Sequence, residues 1–160
     1  MKGAILAIVL LCGSELIGPE PGQLGLGTVR IVVPPMVMFE VLDVSAPTTS
    51  SVPTSVSFDQ AVLGLGQVLR ISVRADGDFT LVNGPAIPAT SISWTTTNIV
   101  NGIGLNGVLN KTTYTPVFQS TMGALSGRVD LSWTLAAPGP DVRAGTRQAA
   151  LRWKLEAITP

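Results

Sequence analysis

From Ala149 to Ala157 the chain alternates without a break. Ala149, Leu151, Trp153, Leu155 and Ala157 take one set of positions, and Ala150, Arg152, Lys154 and Glu156 take the other. A period of two places these sets on opposite faces of a β-strand, one against a core and one in water. A helix would scatter the same charges around its circumference. The pattern recurs where Leu69, Ile71, Val73 and Ala75 alternate with Arg70, Ser72 and Arg74, and where Val129, Leu131, Trp133 and Leu135 alternate with Asp130, Ser132 and Thr134. Three half-buried strands so far apart in sequence predict a sheet protein built around one core. Leu69, Ile71, Val73, Leu131, Trp133, Leu135, Leu151, Trp153 and Leu155 are predicted to share a single buried layer.

Shorter elements fill the intervals. Residues 28–33 alternate, with Val29, Ile31 and Val33 on one side, and Pro34-Pro35 ends the run because proline lacks an N–H and restricts the residue before it. Residues 36–44 read as a second strand, and the polar stretch 45–54 as a loop. A short strand at 56–58 precedes the long one at 67–75. Asp76-Gly77-Asp78 is predicted to turn the chain tightly into a strand at 79–82. Strands are predicted again at 90–96, 111–118 and 127–136, with a Gly/Asn loop over 98–110 and a turn at 137–141. Many short strands, frequent turn signals and no amphipathic helix predict an all-β, immunoglobulin-like antiparallel β-sandwich with an extended N-terminal arm.

The N-terminus changes this picture. Lys2 precedes an apolar run at 4–11, and Cys12-Gly13-Ser14 supplies small residues, so residues 1–14 read as an export signal. Such a run is too short to span a bilayer, and stable membrane insertion is not expected. A buried N-terminal strand is the other reading of the same run. Leu11 stands where a lipoprotein signal requires a small residue, which argues against lipidation of Cys12. Residues 15–27, E-L-I-G-P-E-P-G-Q-L-G-L-G, read as an extended arm. The expected organisation is therefore a signal at 1–14, an arm with a candidate strand at 15–35, and a sandwich at 36–160.

Composition agrees with export. Of 160 residues, 46% are apolar and only 12% charged, as in turn-rich all-β secreted proteins. Ten basic and ten acidic residues cancel, with no basic block, so nucleic acid is not an expected partner. The single cysteine falls within the signal, so hydrophobic packing alone must hold the mature domain.

Candidate chemistry is sparse. The chain has no histidine, which excludes Ser-His-Asp and Cys-His sites and His-bound metals. Asp76 and Asp78 form the one close carboxylate pair, and calcium loops usually bring three or more acidic ligands, so a hairpin turn is favoured. Gly102-Ile103-Gly104-Leu105-Asn106-Gly107 matches a dinucleotide fingerprint in letters, but strand-like residues follow instead of a helix. Trp94, Trp133 and Trp153 invite a sugar-stacking reading, yet Trp133 and Trp153 share strand faces with leucines and belong in a core. Asn110-Lys111-Thr112 is a glycosylation sequon, with Asn110 as the acceptor. No enzymatic activity, cofactor or metal is expected.

A signal, an arm and a cysteine-poor sandwich rich in Thr, Ser and Gly, with S-W-T-T-T-N at 93–98 and L-R-W-K-L-E-A-I at 151–158, resemble the secreted pilin-like subunits of bacterial surface filaments. The resemblance spans roughly residues 28–160. It implies a non-enzymatic, extracellular or cell-surface structural subunit that forms a head-to-tail homopolymer, each copy lending an N-terminal strand to its neighbour. Carried onto this chain, the donor strand would use Leu26, Val29, Ile31 and Val33, with Pro34 and Pro35 as a hinge. The mature chain lacks the disulfide that chaperone–usher pilins often carry. The other reading of residues 28–33 is the first strand of their own sandwich, switching sheets at the prolines. A different class of function also fits: a monomeric secreted carbohydrate-binding or adhesin domain that meets glycans through the 98–110 loop.

Overall fold

The computed structural model describes residues 6–13, 29–80, 84–143 and 145–160. Residues 1–5, Ser14, the arm at 15–27 with Leu26, Thr28, Leu81 and Val82 of the strand predicted at 79–82, Asn83 and Ala144 lie outside the described residues. The remainder is all-β, with two sheets in a sandwich. In chain order the strands are β1 (Leu6–Gly13), β2 (Arg30–Val32), β3 (Met36–Val41), β4 (Thr48–Thr49), β5 (Thr54–Asp59) and β6 (Val68–Ala75). They continue with β7 (Ile92–Val100), β8 (Gly102–Gly104), β9 (Gly107–Val108), β10 (Thr115–Ser120), β11 (Gly127–Leu135) and β12 (Gly145–Ile158). The first sheet runs β3-β1-β12-β6-β10-β8, and the second runs β2-β5-β11-β7-β9 with β4 on β11. The pairings between these strands are antiparallel except that of β1 with β12, which is parallel.

The alternating segments became strands for the reason their pattern suggests. Of the nine residues expected in the core, Leu155 is half-buried and packs against it, and the rest are at most 1% exposed. They form two facing layers, which corrects the single layer expected. Leu69, Ile71 and Val73 on β6 stand beside Leu151, Trp153 and Leu155 on β12 in the first sheet, with Trp153 opposite Val73. Leu131, Trp133 and Leu135 on β11 belong to the second sheet, where Trp133 stands opposite Trp94 of β7. Those two indole rings lie 5.4 Å apart between centroids and are tilted by 57°, a geometry that suits the aromatic quadrupole.

Three expectations fail for identifiable reasons. The Gly/Asn stretch at 98–110 is largely sheet: β7 runs through Val100, and β8 and β9 follow. Its glycines are there because backbone meets side chain closely. A Cβ on Gly102 would come within 2.2 Å of the Phe118 ring, and one on Gly107 within 2.6 Å of the Trp94 ring. Asn101, at φ 54°, makes the corner by which the chain leaves the second sheet at β7 and enters the first at β8; asparagine tolerates that left-handed backbone better than most residues. The Asp76–Asp78 turn does not fold β6 into a hairpin. Phe79 bridges to Ile87, and Thr80 bridges to Gln148 of β12. The loop predicted at 45–54 also holds the short strand β4, because Thr48 and Thr49 reach the end of β11.

Candidate functional site

The N-terminal run occupies an interior position. Along its whole length β1 pairs with β12, from Leu6 opposite Gly145 to Gly13 opposite Arg152. On its other side it pairs with β3, from Leu6 opposite Val41 to Leu11 opposite Met36. Neighbouring strands lie about 4.8 Å apart, so β3 and β12 flank a slot roughly 10 Å wide that holds one strand. β3 is the edge of this sheet, and β1 is its neighbour there.

The walls of the slot belong to the core. Val37, Phe39 and Val41 of β3 and Ala149 and Leu151 of β12 are buried. The register sets Leu10 between Val37 and Ala149, and Ile8 between Phe39 and Arg147. Arg147 is the unexpected wall residue: it continues the inward series of β12 by two positions and is fully buried. Its guanidinium donates to the carbonyls of Arg143 at 2.9 Å and Pro85 at 3.3 Å, while Nε has no hydrogen-bond partner among the described residues. Burial pushes its pKa down from the ordinary arginine value. Extending the alternation back from Ala149 would have marked it, since an arginine there must point inward.

The described residues of the predicted donor strand, Val29, Ile31 and Val33, lie elsewhere. β2 is the edge of the second sheet and pairs with β5 of its own chain, Arg30 opposite Asp59, Ile31 opposite Phe58 and Val32 opposite Ser57. Val29, Ile31 and Val33 are partly buried against the core. Pro34, buried, and Pro35, exposed, carry the chain from that edge to β3 of the first sheet. Within one chain, then, Arg30–Val32 form a strand of their own sandwich, and the chain changes sheets at the prolines. An open pocket of about 460 Å³ lies beside this crossing, between residues 32–38 and 50–55.

The other candidate residues are engaged in turns and ion pairs. Asp76 accepts from Arg152 and faces Arg74 at 3.7 Å. Asp78 pairs with Lys111 at 2.5 Å and accepts the Ala89 N–H at 3.0 Å, so the two carboxylates serve different partners. Asn110 uses its side-chain oxygen to accept from the Thr112 N–H and hydroxyl, each at 2.8 Å, which closes a local turn. On the second sheet Asp130, nearly buried, accepts from Ser55, Asn98 and Arg128. Burial works against its charge, and these donors outweigh burial, holding its pKa below the usual carboxylate value. The group braces β5, β7 and β11 from the outer face of the sheet.

Among the described residues there is no cluster of three or more metal-binding side chains and no helix long and apolar enough to cross a membrane. No protein-family model and no curated protein matches this chain.

Proposed function

We propose that this protein is an exported, non-enzymatic structural subunit that assembles with copies of itself, head to tail, by β-strand addition. One observation supports the reading above the rest: the stretch with the character of an export signal is an interior strand of a sheet. If export removes it, β3 loses its neighbour, β12 loses a partner along half its length, and an apolar slot opens between them. Such a subunit exposes unpaired N–H and C=O groups beside core side chains, a template for another strand. Main-chain hydrogen bonds then supply affinity, and alternate side chains fill the slot. Each apolar side chain so buried contributes about 1.5–3 kcal/mol before ordering costs. Because the lent strand and the receiving slot are different surfaces, the contact is heterologous and propagates into an open fibre unless its rotation closes a ring.

The parallel pairing of β1 with β12 is consistent with a strand added to a finished sheet. It joins the two ends of the chain, which no hairpin connects. A glycan-binding reading would instead place its contacts on the short strands and corners of residues 98–110, which are largely sheet. The test is the state of the exported protein. Its mass is expected to show a start beyond Gly13, and negative-stain micrographs to show regular fibres. A monodisperse monomer that retains residues 6–13 would overturn the reading.

A further inference from the structure

We infer that the end of the sandwich formed by residues 61–66, 99–104 and 121–126 is a docking surface for a second copy of this chain, the same surface of each copy meeting across a two-fold axis. The contact uses the side chains of finished loops and does not depend on strand addition.

The three segments join β5 to β6, β7 to β8 and β10 to β11. Hydrogen bonds tie them into one surface. The Ala61 N–H donates to the Leu125 carbonyl at 3.0 Å and the Thr121 N–H to the Asn101 carbonyl at 2.9 Å, while the Asn101 side-chain amide donates to the Ser126 carbonyl at 3.0 Å. Leu63 and Ala124 pack against the core from beneath. Gly66 and Gly123 turn their loops at φ 77° and 73°, a backbone that favours glycine. Val62, Leu65, Val100, Ile103, Met122 and Leu125 are left facing outward, from 50% exposed at Val100 to 105% at Leu65. An apolar hollow of about 330 Å³ lies between the first and third segments.

Composition names the occupant. A lipid-facing surface sets Lys or Arg and aromatic side chains beside its aliphatic ones. Hot spots that read an unrelated protein are enriched in Trp, Tyr and Arg. The three segments hold no charged and no aromatic residue. An aliphatic surface of this kind resembles a domain core cut in half, the character of interfaces between identical subunits. Two copies of it also meet without like-charge repulsion.

Area agrees. Full burial of one aliphatic side chain removes on the order of 100 Å² from water, so these six expose roughly 400 Å². One half of a standard interface is about 800 Å², and between identical subunits about 65% of it, roughly 500 Å², is apolar. The surface therefore supplies most of the apolar part of one such half.

The full-length chain tests this contact by itself, because Leu6–Gly13 already fills the place between β3 and β12. Sedimentation velocity at micromolar concentration is expected to show a dimer. Leu65→Asp combined with Leu125→Asp is expected to weaken that dimer at least tenfold. Leu42→Asp is the control: Leu42 is 79% exposed in the loop after β3, at the other end of the sandwich. The dimer is expected to survive it unchanged. A monomeric wild type, a dimer that persists in the double variant, or equal loss in the Leu42 variant would overturn the proposal. Co-sedimentation of a wild-type monomer with phosphatidylcholine–phosphatidylglycerol vesicles would overturn it too, by giving the surface to lipid. Fibre formation by the exported protein bears on the earlier reading alone, so the two can fail separately.

Discussion

Phe39 of β3 and Arg147 of β12 are both register partners of one residue, Ile8, which lies between them. Both are buried, at 1% and 0% exposure. They stand two strand spacings apart, about 10 Å, so the strand that carries Ile8 decides whether the first sheet is continuous or split. The functional proposal turns on which molecule supplies that strand.

Backbone amide exchange reports the split directly. In exported subunits dissociated to monomers, residues 36–41 are expected to exchange rapidly, because their ladder on the slot side is empty. In assembled material they should be protected to the level of β6, a strand paired on both sides. Equal protection in both states would show that the slot does not change occupancy on assembly.

Trp153 tests the core itself. It is 1% exposed within the cluster that joins both sheets. Trp153→Ala is expected to destabilise the subunit by about 3–5 kcal/mol, read as a fall in the urea midpoint. A loss under about 1 kcal/mol would contradict its placement, since surface substitutions usually fall within that range.

Gly102 and Gly77 make a matched pair. A Cβ at Gly102 would meet the Phe118 ring at 2.2 Å and the Gln119 carbonyl at 2.5 Å, while one at Gly77 meets nothing within 4 Å. Gly102→Ala is expected to cost about 1–3 kcal/mol through overpacking, and Gly77→Ala to stay within about 0.5 kcal/mol of wild type. Thermal denaturation of the two variants side by side would check the difference.

How far the fold could be read in advance depended on whether periodicity carried the signal. Residues 69–75, 129–135 and 149–157 place charged or polar side chains between apolar ones, and only a strand separates those sets. Residues 6–13 are apolar throughout. A run without alternation fits a signal and a fully paired strand equally well, and only the partners, remote in sequence at β3 and β12, distinguish its place in the sheet. Glycines misled the reading of 98–110. They usually mark loops, but at 102 and 107 they are needed because aromatic rings from β10 and β7 lie against the backbone. Arg147 does not stand out in advance, because a charged residue at an inward position breaks the strict alternation that begins at Ala149. The slot itself was not legible, since it is a relation between three strands and no short motif encodes it.

Acid should weaken the subunit through a small set of carboxylates. Asp43, Asp78 and Asp130 all have pKa values held below the model-compound 3.8. Hydrogen bonds from Ser45 hold Asp43 down, and a hydrogen bond from Lys111 chiefly holds Asp78. At Asp130 burial opposes ionisation, and Ser55, Asn98 and Arg128 overcome it. A carboxylate with a lowered folded pKa contributes stability in full above its unfolded pKa, and that contribution is lost as pH falls through the folded value. Stability is therefore expected to hold above about pH 5 and to decline below about pH 4. Asp130→Asn is expected to lower the neutral-pH urea midpoint by the equivalent of about 1–3 kcal/mol, from lost charged hydrogen bonds, and to make the acid decline shallower. An unchanged acid profile would contradict the role given to Asp130.

The most direct measurement is a high-resolution electron cryomicroscopy structure of the assembled material, read for one feature: which chain supplies the strand between Phe39 and Arg147. The expected result is a strand of an adjoining copy in that position, with Arg30–Val32 still paired to β5 of their own chain. Finding Leu6–Gly13 of the same chain between β3 and β12 in every subunit would contradict the account.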